Sequence, residues 1–259
     1  MRKLDALPII EASNYESILS QRSALITGGS SGIGYAIAEA LASEGYGVTI
    51  SGRRADKLAA AAQTLRDKGY DIHEFAVQAS EESELAALFE SHKERFGRLD
   101  VLVNNAGVGI GGLIEGYPTK RLDLQLDVNV RSHIILTSLA LPLLKEAGAE
   151  HQNAYIINTG SIAGRDGQPW LSIYAATKAA MINWTNGLQK ELGDTGIRVT
   201  ALSPAFVDTP MTEFAQQNGI EAESMIRPED LANTVLWLLS LSQFARVPEI
   251  VFERLGHDL

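Results

Sequence analysis

Short hydrophobic runs, apolar on both faces and rich in Val, Ile or Leu, recur along the chain from residue 24 to residue 252. Runs of this kind are typical of strands that helices cover on both sides of a sheet. The pattern predicts strands at Ala24–Thr27, Val48–Ser51, Glu74–Val77, Val101–Asn104, Tyr155–Asn158, Val199–Leu202 and Glu249–Phe252.

Longer segments with helical spacing of their hydrophobic residues separate these runs. They predict helices at Ile33–Ser43, Ala55–Lys68, Glu82–Phe96, Lys120–Lys145, Ser172–Leu192 and Pro228–Leu241. Strands that alternate with helices pair in parallel through right-handed crossovers. Because no linker-like break interrupts the pattern, we predict one Rossmann-type α/β domain with a doubly wound, parallel, seven-stranded sheet. It spans residues 21–259 and follows an N-terminal extension of residues 1–20.

Composition and charge narrow the possible functions. Of the 259 residues, 22 are Lys or Arg and 32 are Asp or Glu, so the formal charge of −10 argues against nucleic acid or an anionic membrane as the main partner. The absence of cysteine excludes disulfides and thiolate chemistry. The five histidines lack the spacing of a helical zinc site, so we predict no metal.

The hydrophobic pattern predicts neither a membrane span nor a signal peptide. No hydrophobic run reaches the roughly 18 residues of a membrane span, and acidic residues interrupt the N-terminal stretch, which makes it a poor signal peptide. We therefore expect a cytoplasmic protein without a membrane partner.

A glycine-rich turn, TGGSSGIG, occupies residues 27–34 between the first predicted strand and the first predicted helix. Glycine permits positive φ and a close approach of the backbone to a ligand. The N-terminus of the following helix offers free N–H groups and a partial positive charge, which suit a pyrophosphate. The alternative is a loop that binds nothing, but the position inside a βαβ unit favours a dinucleotide site.

The spacing of these glycines, G-x-x-x-G-x-G, differs from the common G-x-G-x-x-G fingerprint. Here the chain resembles the ordinary branch of the short-chain dehydrogenase/reductase family, and the resemblance extends over about residues 20–253. It disfavours the epimerase and dehydratase chemistries of the extended branch. The cofactor-binding residues that it implies are Gly28, Ser30, Ser31, Gly32, Ile33, Gly34, Asn104, Ala106, Gly107, Tyr174, Lys178, Pro204, Val207 and Thr209.

Two arginines, Arg53 and Arg54, stand at the tip of the second predicted strand, where a dinucleotide fold faces the adenosine ribose. An acidic residue there would bind the 2′-hydroxyl of NAD, whereas an arginine pairs with a 2′-phosphate. We therefore predict NADP(H) as the cofactor, with Arg53 matching the position typical of NADP-preferring relatives. The alternative is a pair of solvated surface arginines.

Tyr174 and Lys178 are four residues apart, so they lie on one face of a predicted helix. An ammonium beside a phenol favours the phenolate, and we expect Lys178 to lower the pKa of Tyr174. A tyrosine tuned in this way is a plausible general acid for ketone reduction or base for alcohol oxidation. A half-buried aromatic residue with a solvated neighbour would show the same spacing.

The resemblance adds two further catalytic residues. Ser161 matches the serine that orients the substrate oxygen, and Asn129 matches the asparagine that supports a water-linked proton relay to Lys178. A turn serine and a mid-helix asparagine that bonds its own backbone are the alternatives. Together the residues predict hydride transfer between NADP(H) and a small-molecule carbonyl or alcohol. The competing hypothesis is a catalytically silent NAD(P)-binding sensor or scaffold.

The chain also departs from the family pattern. Gln78 stands where an aspartate often lies beside the adenine, and Ala205 replaces the usual glycine after the sixth strand. We expect Ala147–Asn153, where about five residues are added, to form a surface loop. Residues 208–227 match the substrate lid. Homodimers or homotetramers built on the two longest helices are the default expectation of the resemblance.

Overall fold

The computed structural model describes residues 22–214 and 219–255. The predicted N-terminal extension, residues 1–20, lies outside this part of the chain. In the described part, seven parallel strands form one sheet in the order β3-β2-β1-β4-β5-β6-β7, which confirms the predicted fold class. The strands are β1 (Ser23–Thr27), β2 (Gly47–Gly52), β3 (Ile72–Ala76), β4 (Val101–Asn104), β5 (Ala154–Thr159), β6 (Ile197–Pro204) and β7 (Glu249–Phe252).

Helices cover both faces of this sheet. They are α1 (Gly32–Ser43), α2 (Ala55–Asp67), α3 (Glu82–Phe96), α4 (Thr119–Leu126), α5 (Ser132–His151), α6 (Ser172–Glu191) and α7 (Pro228–Ser240). Alternate residues of each strand point to opposite faces: Val101 and Val103 pack with α1, α2 and α7, whereas Leu102 packs with α3, α5 and α6. Burial of both faces is the reason that the strands read as continuous hydrophobic runs.

The prediction of one continuous α-helix at Lys120–Lys145 is wrong. The structure divides it into α4, a π-helical turn at Asp127–Arg131, and α5. The backbone stays helical through the junction, so hydrophobic spacing alone does not reveal the wider turn. Such π-helical turns are frequent at functional sites.

The predicted surface loop Ala147–Asn153 is wrong over its first five residues, because α5 continues to His151. The end of α5 packs closely on the turn before β6. A Cβ added to Gly148 would lie 2.3 Å from the Thr195 carbonyl oxygen, and one added to Gly196 would lie 2.2 Å from the Gly148 oxygen. Glycine at both positions lets the two backbones touch, which favours helix over loop here.

The order of the strands reverses between β1 and β4, since β2 and β3 lie on one side of β1 and β4 to β7 on the other. Ligands of open α/β sheets bind in the crevice at the carboxyl ends of the strands at such a point. The glycine-rich turn after β1 and the segment after β4 meet there.

Candidate active site

The glycine-rich turn has the geometry that its sequence predicts. Gly28 and Gly32 have φ values of 69° and 56°, in the left-handed region that favours glycine. A Cβ on Gly34 would lie 2.4 Å from the Gly28 carbonyl oxygen, so this glycine allows α1 to pack against the turn. Ser31 is the N-cap of α1 and makes no side-chain capping bond, which leaves the first N–H groups of the helix to a ligand.

Two side chains that sequence reasoning did not single out hold this turn in place. Thr27 Oγ1 accepts hydrogen bonds from the backbone N–H groups of Asn105 and Ala106, both at 2.9 Å. The Asn105 side-chain amide donates to the Thr27 oxygen at 3.0 Å and to the Gly28 oxygen at 3.3 Å. The signal in the sequence was a threonine just before the glycines and an asparagine just after β4.

A cleft of about 250 Å³ runs from this turn to the ends of β5 and β6. The predicted site residues that line it are Gly28, Ser30, Ser31, Gly32, Ile33, Ala106, Gly107, Ser161, Tyr174, Lys178, Pro204, Val207 and Thr209. Three lining residues that the sequence analysis did not assign are Asn105, Thr159 and Gly160. The structure therefore brings together most of the predicted cofactor and catalytic positions.

A second cavity of about 210 Å³ shares Gly28, Ser30, Ala106 and Gly107 with the first and extends it towards the end of β2. Arg53, Arg54 and Gln78 line this extension, both arginines are exposed, and no Asp or Glu of the described residues lines it. The two cavities form one elongated cleft with guanidinium groups at one end and Tyr174 at the other.

The Tyr174 end of the cleft is built from β5, the turn after it, and α6. Lys178 Nζ donates a hydrogen bond of 2.8 Å to the Thr159 carbonyl oxygen and lies 5.7 Å from the centroid of the Tyr174 ring. Ser161 Oγ accepts a hydrogen bond of 3.2 Å from the Ala163 N–H. The Ser161 hydroxyl also donates to the Pro204 carbonyl oxygen at 3.5 Å.

Burial dominates the electrostatics of this group. It lowers the pKa of Lys178 to about 8. Burial also raises the pKa of Tyr174, and the hydrogen bond with Ser161 opposes the rise. The expected lowering of the Tyr174 pKa by Lys178 is not seen in this structure, where burial dominates and the ammonium is bound to the Thr159 carbonyl oxygen.

Three predicted site residues line neither cavity. Gly34 supports the glycine turn, as described above. Asn104 is buried in the sheet, where its Nδ2 donates to Thr137 Oγ1 and Asn158 Oδ1, both at 2.9 Å. Asn129 lies in the π-helical turn, also buried. Asn104 and Asn129 therefore stand behind the lining of the cleft rather than at its surface.

Asn129 binds the segment that follows β4. Its Oδ1 accepts from the Val108 N–H at 2.8 Å, and its Nδ2 donates to the Val108 oxygen at 2.9 Å and to Thr177 Oγ1 at 3.1 Å. This pair of backbone bonds holds the segment that contains the cleft-lining residues Ala106 and Gly107.

Trp170 and the segment after β4 form one wall beside Tyr174. Trp170 has a φ of 69°, and its carbonyl accepts a hydrogen bond of 2.7 Å from the Gly112 N–H. The indole covers Gly111, where an added Cβ would lie 2.2 Å from the ring. Trp170 is half exposed, so the wall presents an apolar surface.

The predicted substrate lid, residues 208–227, is described except for 215–218. Met211 lines the cleft, whereas Met225 is buried. The Phe206 and Phe214 rings, 6.1 Å apart, make an edge contact. Within the described residues no group of three or more His, Asp or Glu side chains could hold a metal ion. In the same part of the chain, no helix combines the length and apolar character needed to cross a membrane.

Comparison with known proteins agrees with this fold and site. A family model described as short chain dehydrogenase matches residues 22–219. An uncharacterized oxidoreductase of Staphylococcus saprophyticus is 34% identical over 233 residues, which cover 90% of this chain and 97% of the relative. The chain therefore belongs to the short-chain dehydrogenase family, as the resemblance predicted.

Solved structures with the same fold carry nicotinamide cofactors. A short chain dehydrogenase from Burkholderia cenocepacia in complex with NADP is 29% identical, has a TM-score of 0.80, and is matched over 90% of this chain and 97% of that one. A 3-ketoacyl-(acyl-carrier-protein) reductase from Brucella melitensis complexed with NADH is 31% identical with a TM-score of 0.80, over 89% and 95% of the two chains. Since these neighbours contain different cofactors, the fold alone does not decide between NADP and NAD.

Proposed function

We propose that this protein is an NADP(H)-dependent oxidoreductase that interconverts a carbonyl and an alcohol, with Tyr174 as general acid and base. The proposal rests on one observation: the cleft that the glycine-rich turn lines is also lined by Ser161, Tyr174 and Lys178. A protein that only binds a dinucleotide has no use for a phenol beside a buried ammonium at the far end of that cleft.

The residues of the cleft fit a nicotinamide dinucleotide. The first turn of α1 would hold the pyrophosphate, because its N–H groups are free and Gly28 and Gly32 keep the approach open. Arg53 would pair with a 2′-phosphate, which supports NADP(H) over NAD(H). Lys178, Pro204, Val207 and Thr209 would surround the nicotinamide end. When bound, the cofactor supplies or accepts the hydride.

The protein's own groups handle the substrate oxygen and its proton. Ser161 would hydrogen-bond this oxygen and orient it towards Tyr174, which gives up a proton in reduction and takes one in oxidation. Lys178, anchored on the Thr159 carbonyl, places a positive charge beside the ring that would stabilise a phenolate. Lys178 is buried and Tyr174 is only partly exposed, which limits the access of bulk water to the proton transfer.

The test is NADPH oxidation with a panel of aldehydes, ketones and diketones, in wild type and in Tyr174→Phe. The variant should lose turnover by about 10²–10⁴-fold, the contribution of a general acid, and should still bind NADPH. Tyr155→Phe is the matched control, since it removes only the hydroxyl contact with Thr200 inside the opposite core. NADPH binding without turnover across the panel would overturn the proposal in favour of a silent sensor or scaffold.

We also propose a homodimer or homotetramer. Leu126 and Ile134, on α4 and α5, are exposed hydrophobic side chains on one of the two predicted interface helices. Sedimentation of the purified chain tests this assembly. The cytoplasmic location belongs to the same proposal, and cell fractionation tests it.

A further inference from the structure

Trp170 is held in a backbone conformation that its side chain disfavours. Its φ of 69° lies in the left-handed region, which only one other non-glycine residue among the described ones, Gln152, adopts. For a bulky residue this conformation is strained. Strain of this kind persists where the surrounding structure holds it, and it is concentrated at functional sites. Trp170 takes no part in the mechanism proposed above.

The structure that holds Trp170 is the segment of residues 109–112, which follows β4. The Gly112 N–H donates a hydrogen bond of 2.7 Å to the Trp170 carbonyl oxygen. A Cβ added to Gly111 would lie 2.2 Å from Cε3 and Cζ3 of the indole, so the ring lies where only glycine leaves room for it. Trp170 nevertheless stays 53% exposed. The contact therefore fixes the indole and leaves part of its surface open.

A buried glutamine fixes this segment in turn. Gln125 is fully buried; its Oε1 accepts from the Ile110 N–H at 3.1 Å, and its Nε2 donates to the Tyr117 hydroxyl at 2.9 Å. The Tyr117 hydroxyl donates to the Ile110 carbonyl oxygen at 3.0 Å. Both backbone groups of Ile110 are thus bound. The wall that carries the indole is preformed, which lowers the entropic cost of binding a ligand against it.

The same segment contacts the proposed catalytic tyrosine. A Cβ added to Gly109 would lie 3.8 Å from Tyr174 Cε2, the ring carbon next to the one that bears the hydroxyl. Gly109 and Gly111 are two residues apart, and two residues of extended chain span at most about 7 Å. The phenol and the indole therefore lie against one short stretch of backbone, at a separation that a small carbonyl compound can bridge.

The surroundings of Tyr174 favour a neutral, apolar substituent. Among the described residues that line its cavity, none is Asp or Glu, and the only cationic side chain, Lys178, is bound to a backbone carbonyl. Met211 lines the same cavity and is exposed. Leu113 and Ile114, which follow the segment 109–112, are exposed as well. A charged substituent would find no free partner here, whereas an apolar one would find several.

From this arrangement, and resting on the proposed function, we propose that Trp170 is a specificity-determining residue for substrates whose carbonyl group carries a flat aromatic ring. With the carbonyl oxygen at Ser161 and Tyr174, the aromatic ring of the substrate packs on the exposed part of the indole. Aromatic pairs gain free energy from their packing geometry beyond the area that any apolar group buries. An aryl carbonyl compound is therefore preferred over a saturated one of the same carbon skeleton.

The first experiment compares acetophenone with cyclohexyl methyl ketone, which has the same carbon skeleton but no aromatic ring. Trp170→Ala should lower kcat/KM for acetophenone about three- to tenfold more than kcat/KM for cyclohexyl methyl ketone, with the KM for NADPH unchanged. The intrinsic reactivities of the two ketones cancel, because their ratio is compared between variants. Trp170→Phe retains an aromatic ring and should restore most of the wild-type ratio.

Trp237→Ala is the matched control. Trp237 is also half exposed, but it lies on α7 and lines neither cavity, so the ratio should stay at the wild-type value. If Trp170→Ala fails to fold, Trp170→Gly removes the same ring with a residue that adopts a φ of 69° without strain. A wild-type ratio in the variant that lacks the indole would overturn the inference.

The second experiment needs no turnover. Proton–nitrogen-15 NMR follows the three indole N–H groups, assigned with Trp170→Phe and Trp237→Phe, while acetophenone is added in the presence of NADP⁺, which cannot reduce it. The Trp170 signal should shift and saturate, and the Trp237 signal should stay in place. An unmoved Trp170 signal, or equal shifts of both, would contradict the inference. If wild type reduces no carbonyl compound, the proposed function fails, and this titration still decides whether an aryl carbonyl binds at Trp170.

Discussion

At the amino edge of the sheet a buried carboxylate is fully paired, whereas at the carboxyl edge several buried polar atoms have no partner. Asp100, just before β4, is 1% exposed. Its Oδ2 accepts from the Ser23 N–H at 2.7 Å and from Arg98 Nε at 2.9 Å. Its Oδ1 accepts from Arg98 Nη2 at 2.6 Å and bonds His151 Nε2 at 2.8 Å.

The carboxyl edge has the opposite character. Ser51 Oγ near the end of β2, Asn104 Oδ1 at the end of β4 and Ser203 Oγ near the end of β6 are buried without a partner in the part of the chain that the structure describes. The same strands contribute to both edges, so the fold is not the cause of the difference. The bonds of Asp100 stabilise the amino edge, although Arg198 Nε and Glu249 Oε1, near the starts of β6 and β7, are also unpaired among the described residues. Of the three residues at the carboxyl edge, Ser51 lines the proposed ligand site.

The largest effect on stability is expected at the amino edge. Asp100→Ala leaves Arg98 and His151 without their buried partner and should lower the free energy of unfolding by about 3–5 kcal/mol. Urea denaturation measures the loss, and the specific activity of the folded fraction should not change. The control is Asp71→Ala, which breaks an exposed ion pair with Arg95 and should cost only about 0–1 kcal/mol.

The same carboxylate predicts a dependence of stability on pH. Burial alone would raise the pKa of Asp100, but its bonds with His151, Arg98 and the Ser23 N–H lower it to about 2. A carboxyl group whose pKa is lower in the folded state stabilises the protein only while it is ionised. Stability should therefore fall as the pH drops from about 4 towards 2, and Asp100→Asn should flatten this decline. An unchanged acid limb in that variant would contradict the assignment.

Ser161→Ala is expected to have the next largest effect, and on rate rather than stability. If Ser161 orients the substrate oxygen as proposed, loss of its hydroxyl should lower kcat about 10²-fold. At most about 1 kcal/mol should be lost from its capping bond to the Ala163 N–H. Ser23→Ala, at the amino edge, removes a hydrogen bond to the Arg98 carbonyl oxygen. This variant should lower the free energy of unfolding and leave kcat unchanged. Equal effects of the two variants on kcat would contradict the assignment of catalysis to the carboxyl edge and of stability to the amino edge.

Arg53→Ala should have the smallest effect of the series and should be confined to one cofactor. Loss of a charge-assisted bond to a 2′-phosphate should raise the KM for NADPH about ten- to hundredfold and leave the KM for NADH nearly unchanged. Arg54→Ala is the matched comparison, since Arg54 lines the same end of the cleft and is also the N-cap residue of α2. Equal changes for both cofactors would rule out the preference for NADP(H).

Much of the fold was predictable from the sequence, because strands that are buried on both faces consist of continuous hydrophobic runs. The predicted bounds of β4 and β7 match the structure at both ends. The predicted end of β6, Leu202, is too early, because the strand continues through Ser203 and Pro204. Ser203 is polar and Pro204 lacks an N–H group, so neither residue is typical of a strand. The π-helical turn at Asp127–Arg131 was not predictable, because five hydrogen-bonded residues of helical backbone have no distinct hydrophobic spacing.

The candidate site was predictable where a motif fixes the geometry and unpredictable where a tertiary contact does. The glycine turn and the Tyr174–Lys178 spacing were visible in the sequence. The contact of Lys178 with the Thr159 carbonyl was not, because it joins a helix to a strand end.

The close approach of Gly148 and Gly196 has a consequence for engineering. Gly196 also has a φ of 72°, so any side chain there meets both a clash and an unfavourable backbone conformation. Gly187, near the end of α6, has nothing within 4 Å of an added Cβ and a φ that other residues adopt. A randomised library should therefore retain only glycine at positions 148 and 196 but accept alanine at 187, which offers a site for raising thermal tolerance without redesigning the core.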